Sequence, residues 1–514
     1  MRSVLSRPQA QSGEQPKPRR WLLLAGLGAF ALALGLYVIY MVTHPKGFTM
    51  DPVDLAVYRS GGLIVRHVRP LYDSGLAAPL YDWVGYGKLH LPFTYTPFAA
   101  IAFAVISFVP WWLSQQLSVA VDILALLTAL WLTLGGLGYR KDRTRLGLTL
   151  LAAAAVFWTE PVLRTMYLGQ VNLVLMALII WDLCQPDTEK SRWWKGFGTG
   201  VAAGIKLVPL IFIPYLLLTR RVRQAVVATL TFGVLAGAGF EVLPQASRQW
   251  WLGPEFLRAG RTGFVGFLAN QSLRGMFTRQ SGSLAGGLWW WAAAAGLAAA
   301  AGLITAARLH RSGRPVHGWL TCALTGLIVS PVSWDHHWVW VGPALAVLAD
   351  AAIRTARAAR WACWVLLAAP AAVYGAWPML GRAGPLVPWG LIWYAPGSGA
   401  AGSHPWNSEY HWHGLDWLAG NAYILTGLVA FAAVAVLARR CAPARATARR
   451  SAPPAGVQYL MARSAGPRPP GLPGVPPATE AAGASHPGSS LSPPRPLTGR
   501  TPCPRRPVAS RRPW

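Results

Sequence analysis

Residues 21–42 run for 22 positions without one charged side chain. As a helix, that is long enough to cross the roughly 30 Å hydrocarbon core of a bilayer. The pattern repeats, with apolar runs at 97–138, 146–158, 171–183, 196–218, 223–243, 286–308, 317–333, 337–353, 361–379 and 421–438. Only 13% of residues are charged and 53% are hydrophobic, against about 25% charged in a soluble domain. The chain therefore predicts an all-α polytopic membrane protein of about 10–12 membrane helices, several of them short or re-entrant. Lys17, Arg19 and Arg20 precede the first run and no small-residue cleavage site follows it, so it reads as an uncleaved first span.

The basic residues punctuate this pattern. They fall in 139–145, 185–195, 220–223, 308–314, 354–360 and 439–440, as the positive-inside rule requires of cytoplasmic loops. That accounts for much of the net charge of +29 and makes nucleic acid a poor partner. With these loops inside, Asp54, Gln170 and Asn172, Asn270 and Gln271, and Asp335, His336 and His337 all fall on the outer face. Both termini are then cytoplasmic. The organisation expected is a disordered N-terminus (1–20), a membrane domain (21–438) whose first outside loop is 43–96, and a basic tail (439–514). The tail, rich in Pro, Ala and Arg, has too few large apolar residues to fold. Its charges suit the surface of anionic lipid.

Two runs are too short for simple spans. Residues 146–158 and 171–183 flank a polar stretch from Glu160 to Asn172, and 196–218 is interrupted by Lys206, Pro209 and Pro214. Broken or re-entrant helices are expected in both, because irregular backbone at membrane depth survives only where protein or a wet cavity surrounds it. In the first outside loop, a short helix from Leu55 to His67 is expected to lie on the membrane surface.

Several polar residues are candidates for chemistry, each with a plainer alternative. Asp54 follows the first span closely and suits a general base; it and Asp51 also suit the start of a helix, with Pro52 at its first position. Lys206, inside an apolar run, needs a partner or a wet cavity, because a charge at membrane depth costs about 2.5–3.5 kcal/mol even on the gentlest scale. Phosphate is its natural counter-ion, and snorkelling to water is the alternative. His336 and His337 can donate to a phosphate or share a proton with a leaving oxygen, or they simply pack among Trp334, Trp338 and Trp340 in an aromatic belt. Adjacent imidazoles diverge, so joint ligation of one metal is not expected. The amides of Gln170, Asn172, Asn270 and Gln271 suit sugar hydroxyls or loop capping, and Asn270-Gln-Ser is also a glycosylation sequon. The five cysteines are scattered, without metal spacing or a disulfide framework. There is no P-loop, dinucleotide fingerprint or HExxH, and no cofactor is expected.

Taken in order, the motifs resemble a known family. Asp54-Leu-Ala-Val-Tyr58, Pro70-Leu-Tyr72 and Leu91-Pro-Phe-Thr-Tyr95-Thr-Pro97 are similar to the first outside loop of glycosyltransferase family 87. Gly169-Gln-Val-Asn172, Gly204-Ile-Lys206-Leu-Val-Pro209, Asn270-Gln-Ser-Leu273 and Ser330-Pro-Val-Ser-Trp-Asp-His-His337 continue the match. The resemblance covers about residues 20–440. It implies a C-type glycosyltransferase fold in the bilayer, a polyprenyl-phosphate-mannose donor, a glycolipid or glycan acceptor, and an α-(1→2) linkage formed with inversion. It further implies Asp54 as base, Lys206, His336 and His337 at the donor phosphate, and Tyr58, Tyr95, Gln170, Asn172, Asn270 and Gln271 near sugar or acceptor. Arabinofuranosyl transfer from a polyprenyl-phosphate donor is the nearest alternative activity, and a lipid-linked sugar flippase is the alternative of another class.

Overall fold

The computed structural model describes residues 20–43, 51–73, 80, 84, 91–253, 255–355, 357–377, 389–396 and 408–439. The expected disordered tails lie outside these residues apart from Arg20 and Arg439, as does much of 43–96.

Among the described residues the chain is helical, with only isolated β-bridges. The first half comprises α1 (Arg20–Thr43), α2 (Val53–Arg66), α3 (Pro97–Phe103), α4 (Trp111–Gly136), α5 (Arg143–Phe157), α6 (Glu160–Leu168), α7 (Asn172–Cys184), α8 (Phe197–Ile205) and α9 (Phe212–Leu218). The second half comprises α10 (Val222–Val242), α11 (Pro244–Trp251), α12 (Leu273–Ser281), α13 (Leu288–Arg311), α14 (Pro315–Val329), α15 (Val341–Arg354), α16 (Arg357–Tyr374), α17 (Gly414–Gly420) and α18 (Ala422–Arg439). Among them α1, α4, α10, α13 and α18 are long and apolar enough to cross a bilayer. The other apolar helices are shorter, or bent. This is a multi-pass membrane protein in which long spans frame several short helices.

The long spans pack as helices do in lipid, by close approach rather than by hydrophobic drive. Gly26 of α1 sits so near Gly147 of α5 that a Cβ there would lie 2.5 Å from the Gly147 carbonyl oxygen. The short helices carry the breaks. Helices α6 and α7 meet at 116°, and Gly169 closes α6 at φ +67°, a left-handed conformation that glycine adopts without penalty. That bend turns Gln170 and Asn172 into the middle of the protein.

The second break confirms the expected pair of half-helices. Helix α8 stops at Ile205, Lys206 is extended (φ −139°, ψ 131°), and a 3-10 turn from Val208 to Ile211 leads into α9. The chain then returns to where it began. Lys195, just before α8, and Arg221, just after α9, both reach Asp187, at 2.5 and 3.9 Å. Lys206 is therefore at the tip of a re-entrant hairpin, about 14 Å of helix rise from the basic end.

Helix α2 differs from the expected surface helix. Leu55 to Ile64 are all buried, including Arg59 and Ser60. Apolar periodicity suggested one wet face, but α3 and the 3-10 segment 104–108 cover that face, and Arg59 donates to the Ile106 carbonyl at 2.7 Å. A guanidinium that donates to backbone carbonyls can be buried at less cost than a free one.

Candidate active site

The broken helices and the segments between helices line one large cavity, about 710 Å³. Asp54, Tyr95, Gln170, Lys206, His336 and His337 all line it, together with Arg164, Arg261 and Asp335. Six separate stretches of chain thus converge on one space.

Asp54 stands in the first turn of α2, where a carboxylate is favoured by the positive end of the helix dipole. It is half-buried and faces the cavity. Behind it, Tyr58, Tyr95 and Gln170 form a hydrogen-bonded triangle. The Tyr58 hydroxyl donates to Gln170 Oε1 at 2.6 Å, Gln170 Nε2 donates to the Tyr95 hydroxyl at 3.1 Å, and the two hydroxyls are 3.2 Å apart. Burial above all pushes both phenols above their ordinary range, with a smaller push from the Asp54 carboxylate, so both act as neutral hydrogen-bonding groups. The triangle ties α2 to the α6–α7 bend and so fixes Asp54 relative to the hairpin tip.

In the same cavity, Lys206 Nζ donates to Asn172 Oδ1 at 2.8 Å and to His337 Nε2 at 3.0 Å. It also lies 5.8 Å from the centre of the Tyr95 ring. An ammonium has three donors. Two are spent on the protein, leaving one for the cavity. A donating ammonium also requires the lone pair of His337 on Nε2, which leaves its N–H on Nδ1.

His336 is oriented differently. Its Nδ1 lies 2.9 Å from Asp335 Oδ1, and its backbone N–H reaches the same oxygen at 2.7 Å. A carboxylate accepts only, so Nδ1 carries a proton and Nε2 is the free edge. That atom is buried without a hydrogen-bond partner. The His336 carbonyl accepts from Asn172 Nδ2 at 3.0 Å and from Thr165 Oγ1 at 3.1 Å, so the backbone here is held from α6 and α7.

Arg164 was not singled out from the sequence. Its Nε is 3.5 Å from Asp335 Oδ2 and 3.8 Å from Glu160 Oε1, and its guanidinium sits 5.0–5.3 Å from the ring centres of Tyr167, Trp389 and Trp393. Glu160 is wholly buried and accepts from Trp393 Nε1 at 3.0 Å and Tyr423 OH at 2.9 Å. The signal that marks Lys206, a charge between apolar runs, was equally present for Arg164. Arg261, over the Trp250 ring at 4.7 Å, adds a third cation from the segment between α11 and α12. Lys206, Arg164 and Arg261 outnumber Asp54 and Asp335, which suits an anionic group in the cavity.

Four candidates stand away from this lining. Tyr58 and Asn172 are behind the wall, bonded to the groups that do line it. Asn270 and Gln271 are wholly buried. Asn270 Nδ2 donates to the Val265 carbonyl at 2.8 Å, and its Oδ1 accepts from Ser333 N at 2.9 Å. Gln271 Nε2 donates to the carbonyls of Leu268 and Gly420 at 2.6 and 2.7 Å, and its Oε1 accepts from Ile424 N at 3.3 Å. Among the described residues no group of three or more His, Cys, Asp or Glu side chains is placed to hold a metal ion.

Comparison with known proteins adds the decisive observation. The model of glycosyltransferase family 87 matches residues 93–331. A polyprenol-phosphate-mannose-dependent alpha-(1-2)-phosphatidylinositol pentamannoside mannosyltransferase of Mycobacterium tuberculosis is 32% identical over 373 residues, which is 70% of this chain and 81% of that protein. This chain belongs to glycosyltransferase family 87. Two further relatives of this family 87 enzyme are polyprenol-phosphate-mannose-dependent alpha-(1-2)-phosphatidylinositol mannoside mannosyltransferases. One, from M. tuberculosis, is 32% identical over 64% of this chain and 76% of its own length. The other, from Mycolicibacterium smegmatis, is 34% identical over 59% and 70%. No solved structure matches the chain. The family 87 cavity described above is thus the candidate active site of a membrane glycosyltransferase.

Proposed function

We propose that this glycosyltransferase moves mannose from polyprenyl-phosphate-mannose to a hydroxyl of a glycolipid or glycan at the outer face of the membrane, with both termini inside, forming an α-(1→2) linkage with inversion. The activities for which the relatives are named support the donor. The observation that carries the mechanism is that one cavity is lined by a carboxylate, Asp54, and by an ammonium with two imidazoles, Lys206, His336 and His337.

In this reading the phosphate of the donor is the leaving group. The free N–H of Lys206 neutralises it with His337 beside it, and His336 donates from Nε2 when that edge also carries a proton, as an imidazolium held by Asp335. Fixed donors aimed at developing charge often make the largest contribution to catalysis. Asp54 accepts the proton of the attacking acceptor hydroxyl. The new C–O bond forms opposite the breaking one, the electron pair leaves with the lipid phosphate, and a β-linked donor gives an α product. Tyr95 and Gln170 edge the same space and offer hydrogen bonds to sugar hydroxyls. Tyr58, Asn172, Asn270 and Gln271 act by holding these groups in place.

Membranes containing the enzyme, given labelled polyprenyl-phosphate-mannose and a phosphatidylinositol mannoside acceptor, are expected to form a mannosylated glycolipid. Product from a polyprenyl-phosphate-arabinose donor alone would replace the donor assignment. Translocation of the donor with no product from either would point to a flippase and overturn the reading.

A further inference from the structure

At the far end of α7 and α8 from Lys206 is a second polar cavity, about 460 Å³. Arg192, Lys195, Arg220, Arg221 and Arg223 line it, against Asp187 and Glu189. Both carboxylates are already engaged. Asp187 is held by Lys195 and Arg221, and Glu189 is 3.5 Å from Arg192. Arg220 and Arg223 have no carboxylate partner among the described residues, and both are exposed.

Three further features point the same way. The cavity takes in the start of α10, a 21-residue helix whose N-terminus no side chain caps, so its first N–H groups face outward with the positive end of the dipole. Gln224, in that first turn, also lines the cavity. It is only 5% exposed, yet neither its amide oxygen nor its amide nitrogen has a hydrogen-bond partner. Buried amides left in this state are rare. Finally, Arg220 holds a positive φ of 63°, where glycine or asparagine would fit with less strain. The arginine is not there for the turn.

The surroundings favour a lipid as the source of the anion. Val222, Val226, Leu230 and Val234, four apart along α10, are all exposed and form an apolar ridge leading away from the cavity. Trp193 is exposed beside it, a residue that suits the membrane interface.

The geometry points to a phosphate-binding site at the basic end of the bundle that takes the headgroup of an anionic phospholipid, its chains lying along the α10 ridge. Arg220 and Arg223 supply charge, the α10 N–H groups and Gln224 supply hydrogen bonds. The site is separate from the catalytic cavity and does not depend on which sugar the enzyme transfers.

Native mass spectrometry of the full-length protein in detergent tests it, with dioleoyl phosphatidylglycerol and dioleoyl phosphatidylcholine as probes. Phosphatidylglycerol is expected to bind at least tenfold more tightly than phosphatidylcholine. The Arg220→Gln/Arg223→Gln protein is expected to lose that preference, and Arg220→Lys/Arg223→Lys to keep most of it. Gln224→Leu, which adds no charge and keeps the side chain's bulk, is expected to weaken phosphatidylglycerol binding several-fold without lowering the lipid-free melting temperature. Equal binding of the two lipids, or a preference untouched in both Arg220→Gln/Arg223→Gln and Gln224→Leu, overturns the site. Displacement of phosphatidylglycerol by millimolar inorganic phosphate, with equal stabilisation by phosphate alone, would keep the anion site and overturn its lipid occupant.

Discussion

The catalytic cavity and the shelf formed by Asn270, Gln271 and Arg279 use the same chemical vocabulary, and they differ in what is left over. On the shelf every amide is spent. Arg279, wholly buried, gives its guanidinium to Asn421 Oδ1 at 2.7 and 3.1 Å and to three backbone carbonyls. In the cavity, Lys206 keeps one proton, His336 keeps its Nε2 edge, and Asp54 faces open space. Polar groups that satisfy one another build structure; polar groups oriented but unsatisfied wait for a ligand. The comparison teaches that residue type alone does not separate the two, because both regions were rich in the side chains a sugar or phosphate would need.

The contrast can be broken by experiment. The largest effect is expected at Asp54. Prediction: Asp54→Asn inserts and folds normally but loses about 10²–10⁴ in turnover, the usual size of general-base assistance. Near-normal transfer by that variant would remove Asp54 from the mechanism. Next comes Lys206→Met, which removes a charged donor worth about 1.5–3 kcal/mol. A fall of roughly 10- to 150-fold in kcat/KM for the donor is predicted, with Lys206→Arg recovering part of it; an unchanged value would place the phosphate elsewhere.

Asp335→Asn sharpens the comparison, since it leaves His336 in place but withdraws the carboxylate that sets its tautomer. The prediction is a loss smaller than for Lys206→Met, together with a shifted pH–rate profile. A profile superimposable on wild type would make Asp335 purely structural.

On the shelf the expectation reverses. Asn270→Ala should cost about 1–3 kcal/mol of stability, because it strands the buried Ser333 N–H, while the folded fraction keeps its kcat. If kcat collapses and the melting temperature holds, Asn270 belongs to the site after all. The smallest effect is predicted for Tyr58→Phe, about 1 kcal/mol, because it removes the bond to Gln170 Oε1 and the 3.2 Å contact with the Tyr95 hydroxyl but keeps the Gln170–Tyr95 bond. It would appear as a modest drop in melting temperature with little change in donor KM.

Much of the fold was legible in residue order. The expected span at 223–243 is α10, Val222–Val242, and the expected 286–308 is α13, Leu288–Arg311. Long apolar runs leave a chain in lipid almost no choice but helix, because every backbone group must find its partner within the segment. The breaks at Gly169 and at Lys206-Leu-Val-Pro209 were also visible, since glycine, proline and a buried charge each interrupt a helix for a local reason. The burial of α2 was less accessible, because what covers its second face comes from 97–109, more than thirty residues away.

The candidate site divides along the same line. That Lys206 needed a partner followed from one fact, the cost of a charge among apolar residues. That the partners are Asn172 and His337, and that Arg164 shares this wall beside Asp335, depend on contacts between segments up to 171 positions apart. The sequence by itself determined a helical membrane protein with polar breaks at set places, because the bilayer imposes that rule on every run of residues. Only the tertiary structure decided which polar groups exhaust one another and which stay free, because a hydrogen bond is settled by distance and direction across the fold.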